Sequence, residues 1–347
     1  MSVPGRKDGF APVLPRLSRL VVVLTLLLAA CILLSLAVGP AGGSLADNIR
    51  QVLRLLTGRG DPEAITSTII MQIRLPRVIL AGAVGAALAL GGLVFQALLR
   101  NPLAEPYILG ISGGSAIGAI VAMLLGLAIF PGVTLAAFGG SMAVLGFVML
   151  LAAGTAGRGA VSRESLLLGG VMMNAFCAAV IMFLISLSRS TEVHHILFWL
   201  MGDLSLMPAE QLPLLLLVPP CIIAIFLLAR PMNLLLLGSE TAASMGLEVK
   251  KISMLLLVIT SFMVSVVVSQ SGLVGFVGLV IPHIFRLLFG PDHRLLVPAC
   301  VLGGAAYLMV CDLLARTLPT SGEMPVGIVT ALVGAPLFIY LLWRTGR

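Results

Sequence analysis

Charged side chains are scarce in this sequence. Asp, Glu, Lys and Arg make up 10% of its 347 residues, whereas a soluble domain normally carries about a quarter. Apolar residues make up 59%, and one membrane span needs about 20 of them. The composition therefore predicts an all-α membrane protein of about ten transmembrane helices and excludes a sizeable soluble domain.

Several motifs for chemistry in water are missing as well. No GxxxxGK[ST] string occurs, so the chain lacks the usual loop that cradles the phosphates of ATP. It has no HExxH motif, and its five cysteines form no CxxC pair and lie in apolar stretches, where free cysteine packs as a small hydrophobe. We therefore expect no catalytic residue, no metal site and no cofactor in this chain.

Ten apolar segments can be marked along the chain. They cover residues 20–38, 78–99, 113–130, 134–153, 166–187, 212–229, 252–270, 275–289, 295–315 and 326–343. The eighth is short and contains Pro282, which a membrane helix tolerates where neighbouring helices satisfy the freed backbone groups. The first is longer than the apolar core of a signal peptide, so we interpret it as an uncleaved span.

Small residues recur at four-residue spacing within these segments. Ala81, Gly85 and Ala89 form one such row in the second segment, and Gly114 and Gly118 form another in the third. Small residues let helix backbones approach closely, where dispersion contacts stabilise the pair. The rows predict a compact helical bundle.

The basic residues indicate an orientation. With the N-terminus in the cytoplasm, Lys and Arg divide 14 to 7 between inner and outer connections. An even number of spans then places both termini in the cytoplasm. We expect a cytoplasmic N-terminal segment at residues 1–19 and one membrane domain at residues 20–347.

Three arginines oppose this bias because they lie at the outer ends of predicted spans. Arg74 and Arg77 precede the second span, and Arg316 follows the ninth. Two interpretations stay open at this point: anchoring of long side chains at the membrane surface, or a binding task. Asp312 lies four residues before Arg316, a spacing at which helical side chains can pair.

One string resembles a catalytic motif. Residues 110–114, GISGG, fit the GxSxG pattern and the GxSG of intramembrane serine proteases. A serine nucleophile needs a base within hydrogen-bond reach, and His283, the histidine inside an apolar segment, lacks the small neighbours that such a contact requires. We interpret Ser112 and its glycines as structural and keep the protease as an alternative.

A stand-alone proton-coupled permease is a second alternative, which the near absence of intramembrane carboxylates disfavours.

Five strings in the chain form a recognisable set. They are RLPR at 74–77, QALLRNPLAEPYILGISGG at 96–114, LGSETAASMGLEV at 237–249, GFVGLVIPHIFRLLFGPDHR at 275–294 and GEMPVGIVTALVGAPLFIYLL at 322–342. Together these strings resemble the permease subunits of ATP-binding-cassette (ABC) importers for iron chelates and vitamin B12, the FecCD type. They follow one another in a consistent order from about residue 71 to the C-terminus. The last two are highly specific.

The resemblance implies a ten-helix permease with two related halves, spans 2–5 and 7–10, which acts as a homodimer in the bacterial inner membrane. Its partners would be two ATPase subunits, a periplasmic substrate-binding protein and a metal-chelate cargo, but no nucleic acid. The partner ATPase would hydrolyse ATP while the permease passes the cargo to the cytoplasm by alternating access. An iron–siderophore or haem is the expected cargo, and cobalamin is the other candidate.

The resemblance also implies residue roles. Arg74, Arg77 and Arg316 would receive acidic residues of the binding protein, because guanidinium groups bind carboxylates bidentately. The loop at about 234–250 would contain a coupling helix, bounded by Gly238 and Gly246, that inserts into the ATPase. Its contact residues would be Leu237, Gly238, Ser239, Glu240, Ala242, Ala243, Met245, Gly246 and Leu247.

A cytoplasmic gate is implied in the loop between spans four and five. Its candidates are Ser162, Arg163, Glu164 and Ser165. The B12 importer has small hydroxyl residues near the positions of Arg163 and Glu164. Two interpretations of this departure stay open: a cargo other than B12, or a charged surface pair beside a gate formed by Ser162 and Ser165.

Overall fold

The computed structural model describes residues 13–39, 45–57, 64–155, 163–205, 209–319 and 322–345. Within these ranges, seven helical stretches are long and apolar enough to cross a membrane, and three shorter apolar helices cover Ile111–Leu124, Val277–Phe289 and Val326–Leu341. Each of the ten predicted segments coincides with one of these stretches. The prediction of an all-α membrane protein is therefore confirmed.

Eight α-helices lie in the described part of the first half of the chain. They are α1 (Val13–Ala37), α2 (Leu45–Leu56), α3 (Ile65–Thr68), α4 (Leu75–Leu99), α5 (Ile111–Leu124), α6 (Thr134–Thr155), α7 (Arg163–Leu187) and α8 (Ser190–Leu200). A π-helical segment, Ile69–Arg74, joins α3 to α4. The helix of the second span therefore starts at Ile65 and not at residue 78.

Seven more α-helices lie among the described residues of the second half. They are α9 (Val218–Leu227), α10 (Ala229–Leu237), α11 (Ser239–Ser244), α12 (Val249–Ser271), α13 (Val277–Phe289), α14 (His293–Thr317) and α15 (Val326–Thr345). A 3₁₀ segment, Ala209–Leu217, leads into α9 and completes the sixth span.

Helix α4 lies at the centre of the bundle and α7 at its edge. In an apolar stretch of 18 residues from each span, 89% of the residues are buried for the span that contains α4 but only 17% for the span formed by α7. The backbones of α4 and α14 touch directly at Gly85. A methyl group on Gly85 would overlap the carbonyl oxygen of Gly304, so no side chain fits between the two helices there. In the same way, Gly114 and Gly118 bring α5 against α6. Both small-residue rows therefore mark real close contacts.

Some elements differ from the sequence-based expectation. Helix α8, which none of the ten predicted segments covers, contains the adjacent residues His194 and His195. No group of three or more His, Cys, Asp or Glu that could hold a metal occurs in the described part of the chain. The predicted N-terminal segment overlaps α1, which begins at Val13. Residues 1–12 lie outside the described ranges.

Candidate functional site

Acidic and basic side chains meet where α4 begins and α14 ends, which we call the outer ends of these helices. Arg77 Nε donates to Asp312 Oδ1 at 2.8 Å, and Arg77 Nη1 donates to Glu323. Arg316 Nε lies 3.1 Å from Asp312 Oδ2. The pairing of Asp312 with Arg316 is therefore confirmed, and Asp312 also holds Arg77. We call Arg74, Arg77, Asp312, Arg316 and Glu323 the outer cluster.

The outer cluster also holds the last turn of α1. Arg74 Nη1 donates to the carbonyl oxygens of Leu36 and Ala37 at 2.7 and 3.2 Å, and Arg316 Nη2 donates to that of Ser35 at 3.2 Å. The last carbonyls of a helix lack partners within it and carry partial negative charge. The guanidinium groups satisfy both needs, so the two arginines fix the end of α1.

The charges of the outer cluster are unequal. Three guanidinium groups face two carboxylates, and the hydrogen bonds described for Arg74 go to carbonyl oxygens. The arginines are only 4–7% exposed, whereas the Glu323 side chain is 37% exposed. The cluster thus keeps one excess positive charge beneath a carboxylate that an approaching molecule can reach. Its arginines are more buried than surface anchors would be.

The loop with the predicted coupling helix lies next to the beginning of α12. Gly238, with φ +120°, precedes α11, and Gly246, with φ +85°, follows it. Ala242 is fully buried, while Leu237 and Met245 are 60% and 59% exposed. The other exposed residues among the candidates are Ser239, Glu240, Ala243 and Gly246. A short helix, flanked by two exposed apolar side chains, therefore lies between α10 and α12.

The predicted gate residues are only partly described. Ser162 lies outside the described ranges, and α7 begins at Arg163. Glu164 is exposed and Ser165 is half-buried. A gate role for these four residues stays a prediction.

A second loop positions α13, and sequence reasoning assigned it no role. Tyr107 Oη donates to the Val274 carbonyl at 3.0 Å and accepts from the Val274 N–H at 3.1 Å. Glu105 Oε1 accepts from the N–H of Phe276 at 3.2 Å, the residue with φ +68° that precedes α13. Burial raises the pKa of the Glu105 carboxyl, and this hydrogen bond opposes the rise. Because the partners lie far apart in the chain, no local spacing indicated these contacts.

The GxSG string forms no catalytic pair in the described structure. Ser112 lies in the first turn of α5. His283 Nε2 has no hydrogen-bond partner among the described residues, and the His283 ring packs edge-on against Phe338 with centroids 5.7 Å apart. The structural interpretation of Ser112 fits this arrangement.

One family accounts for this sequence and fold. Residues 27–344 match the model of the FecCD transport family. The chain belongs to this family. Over 278 residues, the FecCD chain is 42% identical to the vitamin B12 import system permease protein BtuC of Klebsiella pneumoniae subsp. pneumoniae, covering 80% of this chain and 82% of that protein. It is 41% identical over 280 residues to BtuC of Salmonella typhimurium, with 80% and 84% covered.

Solved structures agree with this assignment. A structure described as an ABC transporter of metal-chelate type, in an inward-facing conformation, matches with a TM-score of 0.83 and 31% identity over 94% of this chain and 99% of that one. PsaBC of Streptococcus pneumoniae shares the fold at a TM-score of 0.54 and 18% identity, with 77% and 90% covered. This FecCD protein is therefore a multi-pass inner-membrane permease of an ABC importer for a metal chelate or vitamin B12.

Proposed function

We propose that two copies of this permease work with two ATPase subunits and a periplasmic binding protein, and that ATP binding opens the path between the copies alternately to each side. The observation that carries the proposal is the placement of two candidate contact surfaces. The outer cluster lies at one end of α4 and α14, and α10 and α11 lie at the other. An importer that receives cargo from a binding protein on one side and is driven by an ATPase on the other needs contact surfaces at opposite ends of its helices. Rigid-body rocking of the two permease copies would then open the path to each side in turn.

The outer cluster suits the docking of an acidic protein surface. Its excess positive charge would attract carboxylates and orient their approach. In the isolated permease, Glu323 accepts a hydrogen bond from the Arg77 guanidinium. A carboxylate of an incoming protein would therefore compete with Glu323 for Arg77. Arg74, held by carbonyl oxygens, has donor capacity left for a second carboxylate, because a guanidinium carries five N–H groups.

Helix α11 suits contact with an ATPase subunit. Leu237 and Met245 expose apolar surface on either side of it, and Glu240 adds an exposed charge in its first turn. Buried Ala242 fastens the helix to the permease. The ATPase would therefore bind a short helix that is held in place by the rest of the permease.

For the cargo, we propose cobalamin first. Relatives named as vitamin B12 import permeases are 41–42% identical to this chain over 80% of its length. The competing candidate is an iron chelate, a siderophore complex or haem, which the charged Arg163 and Glu164 favour because the B12 importer would have small hydroxyl residues there. Both cargoes are metal chelates, so the choice between them leaves the importer assignment unchanged.

Uptake into proteoliposomes tests the proposal. Permease, ATPase and binding protein are reconstituted together, and ATP-driven uptake of labelled cyanocobalamin, haem and a ferric siderophore is compared. We expect uptake that needs all three components and survives a protonophore. Uptake that collapses with the proton gradient, or proceeds without an ATPase, would contradict it and favour the stand-alone permease. Uptake of iron chelates alone would overturn the cobalamin assignment.

A further inference from the structure

Helix α10, which leads directly into α11, is tied to the inner ends of α4 and α14. Arg100, which follows the last residue of α4, donates from Nε and Nη2 to the carbonyl oxygen of Leu235 at 3.1 and 2.8 Å. Asn233 Nδ2 donates to Asp292 Oδ1 at 2.8 Å. Asn233 Oδ1 accepts from the backbone N–H of His293 and lies 2.8 Å from His293 Nδ1. Both ends of the Asn233 amide are therefore occupied at the start of α14.

The chemistry around Asn233 requires an amide. Asp292 accepts from the backbone N–H of Arg294 and so caps α14. Burial would raise the pKa of Asp292, but hydrogen bonds from Arg294 and Asn233 hold this pKa at about 2. Because Asp292 is ionised at physiological pH, its partner at position 233 must be a donor. The other end of the amide must accept, since the His293 backbone can only donate.

The same two helices carry the outer cluster at their other ends. Arg77 of α4 and Arg316 of α14 share Asp312. Each helix has 25 residues and is therefore about 37 Å long. Midway, the backbones of Gly85 and Gly304 are in direct contact. Tightly packed interiors resist compression and transmit displacement, so the two helices are built to move together.

We infer that α4 and α14 form one strut between the outer cluster and α11, and that Asn233 is the positioning residue that fastens α10 to this strut. The inference rests on the proposed coupling of α11 to an ATPase. A displacement of α11 reaches α14 through the Asn233 contacts and α4 through Arg100. Loss of the Asn233 contacts leaves α11 able to bind the ATPase but tied to the strut by Arg100 alone, so the outer cluster follows its displacement less completely.

An exchange of side chains tests this assignment. Asn233→Asp keeps the shape but sets a second carboxylate against Asp292. The double variant Asn233→Asp with Asp292→Asn restores a donor facing an acceptor between these two positions and keeps the acceptor for His293. It gives up the cap of α14, because Asp292 Oδ1 also accepts from the Arg294 N–H and an amide nitrogen in its place cannot accept. The reconstituted complex is assayed for cargo imported per ATP hydrolysed and for stimulation of ATPase activity by the binding protein.

We expect Asn233→Asp to lower cargo imported per ATP by about tenfold, as loss of hydrogen bonds to a charged group would, with the ATPase still bound. Asp292→Asn alone should change this ratio little, because its oxygen can still accept from Asn233 and from the Arg294 N–H. The double variant should exceed Asn233→Asp alone by recovering part of the lost ratio, which is the non-additivity of a direct contact. Asn233→Ala repeats the test without an added charge if the aspartate variant does not fold.

Two results overturn the inference. One is a wild-type ratio of cargo to ATP in both Asn233→Asp and Asn233→Ala. The other is a double variant that performs no better than Asn233→Asp. Failure of the proposed function itself is distinct from both, because the wild-type complex would then show no ATP-driven uptake.

Discussion

Arg77 and Asp312 join the outer ends of the two central helices. Arg77 Nε lies 2.8 Å from Asp312 Oδ1, and the two residues are 7% and 1% exposed. Asp312 is bound by Arg316 on its other oxygen. One buried carboxylate thus compensates two buried cations, and neither arginine can leave without changing the environment of the other.

Replacing Asp312 with Asn is expected to destabilise the fold strongly. The isosteric amide removes the negative charge between two guanidinium groups, and breaking a buried pair in this way typically costs about 3–5 kcal/mol. The thermal unfolding midpoint in detergent should fall accordingly. Asp47→Asn is the matched control, because Asp47 and Arg50 form an exposed pair of the kind that contributes little. Equal midpoints for the two variants would contradict this reading of Asp312.

Docking of a binding protein should respond to the arginines of the outer cluster. Arg74→Ala or Arg74→Gln should weaken association with the permease–ATPase complex and lower cargo uptake while basal ATPase activity persists. The loss should be on the order of 2–5 kcal/mol where the interface is buried and less at a wet rim. Affinity for the wild-type complex should fall as salt rises. Arg50→Ala, an exposed arginine in α2, serves as control.

The Glu323→Gln variant should change the affinity for the binding protein in the opposite direction. Glu323 binds Arg77 in the isolated permease, so its neutralisation should free a guanidinium and raise affinity for the binding protein. General destabilisation of the permease would not raise affinity. Unchanged affinity in the arginine variants and in Glu323→Gln would assign the outer cluster to the fold alone.

Local patterns predicted a large part of the fold. Apolar runs located ten helical stretches, and the four-residue spacing of Asp312 and Arg316 predicted their ion pair, which the structure confirms. Helix α2 was missed because it contains Asp, Asn, Gln and two Arg within 12 residues, and a search for apolar runs passes over such a segment. The π-helical start of the second span was missed because residues 65–77 include Ser, Thr, Gln and Arg, which end an apolar run.

Contacts between distant residues could not be predicted in this way. Arg77 and Asp312 are 235 positions apart, and Asn233 and Asp292 are 59 apart. Helical periodicity places a side chain on a face but does not identify the helix opposite. The hydrogen bond from Arg74 to the end of α1 was not predicted for the same reason, because Arg74 and Leu36 lie 38 positions apart. The candidate site was therefore predicted as a set of residues, and their partners came from the packing.

The contact of α4 with α14 should depend on the absence of a side chain at Gly85. An added methyl group would overlap the carbonyl oxygen of Gly304, and forcing extra volume into a packed core costs about 1–3 kcal/mol. Gly85→Ala should therefore lower the unfolding midpoint. Gly146→Ala in α6 is the matched control, since nothing lies within 4 Å of its added methyl group and alanine favours a helix over glycine. A midpoint for Gly85→Ala at or above that of Gly146→Ala would refute close packing here.

Coupling to the ATPase should depend on the backbone conformation at Gly246. This residue has φ +85° with nothing within 4 Å of an added Cβ, so a substitution there meets strain but no clash. A left-handed conformation costs most residues about 1–2 kcal/mol, whereas Asn visits it more readily. Gly246→Val should therefore displace the loop after α11 and reduce ATPase co-purification and transport-linked hydrolysis, as should charge reversal in Glu240→Lys. Gly246→Asn should retain both activities, and all three permeases should fold. Wild-type coupling in Gly246→Val and Glu240→Lys would mean that the ATPase binds elsewhere.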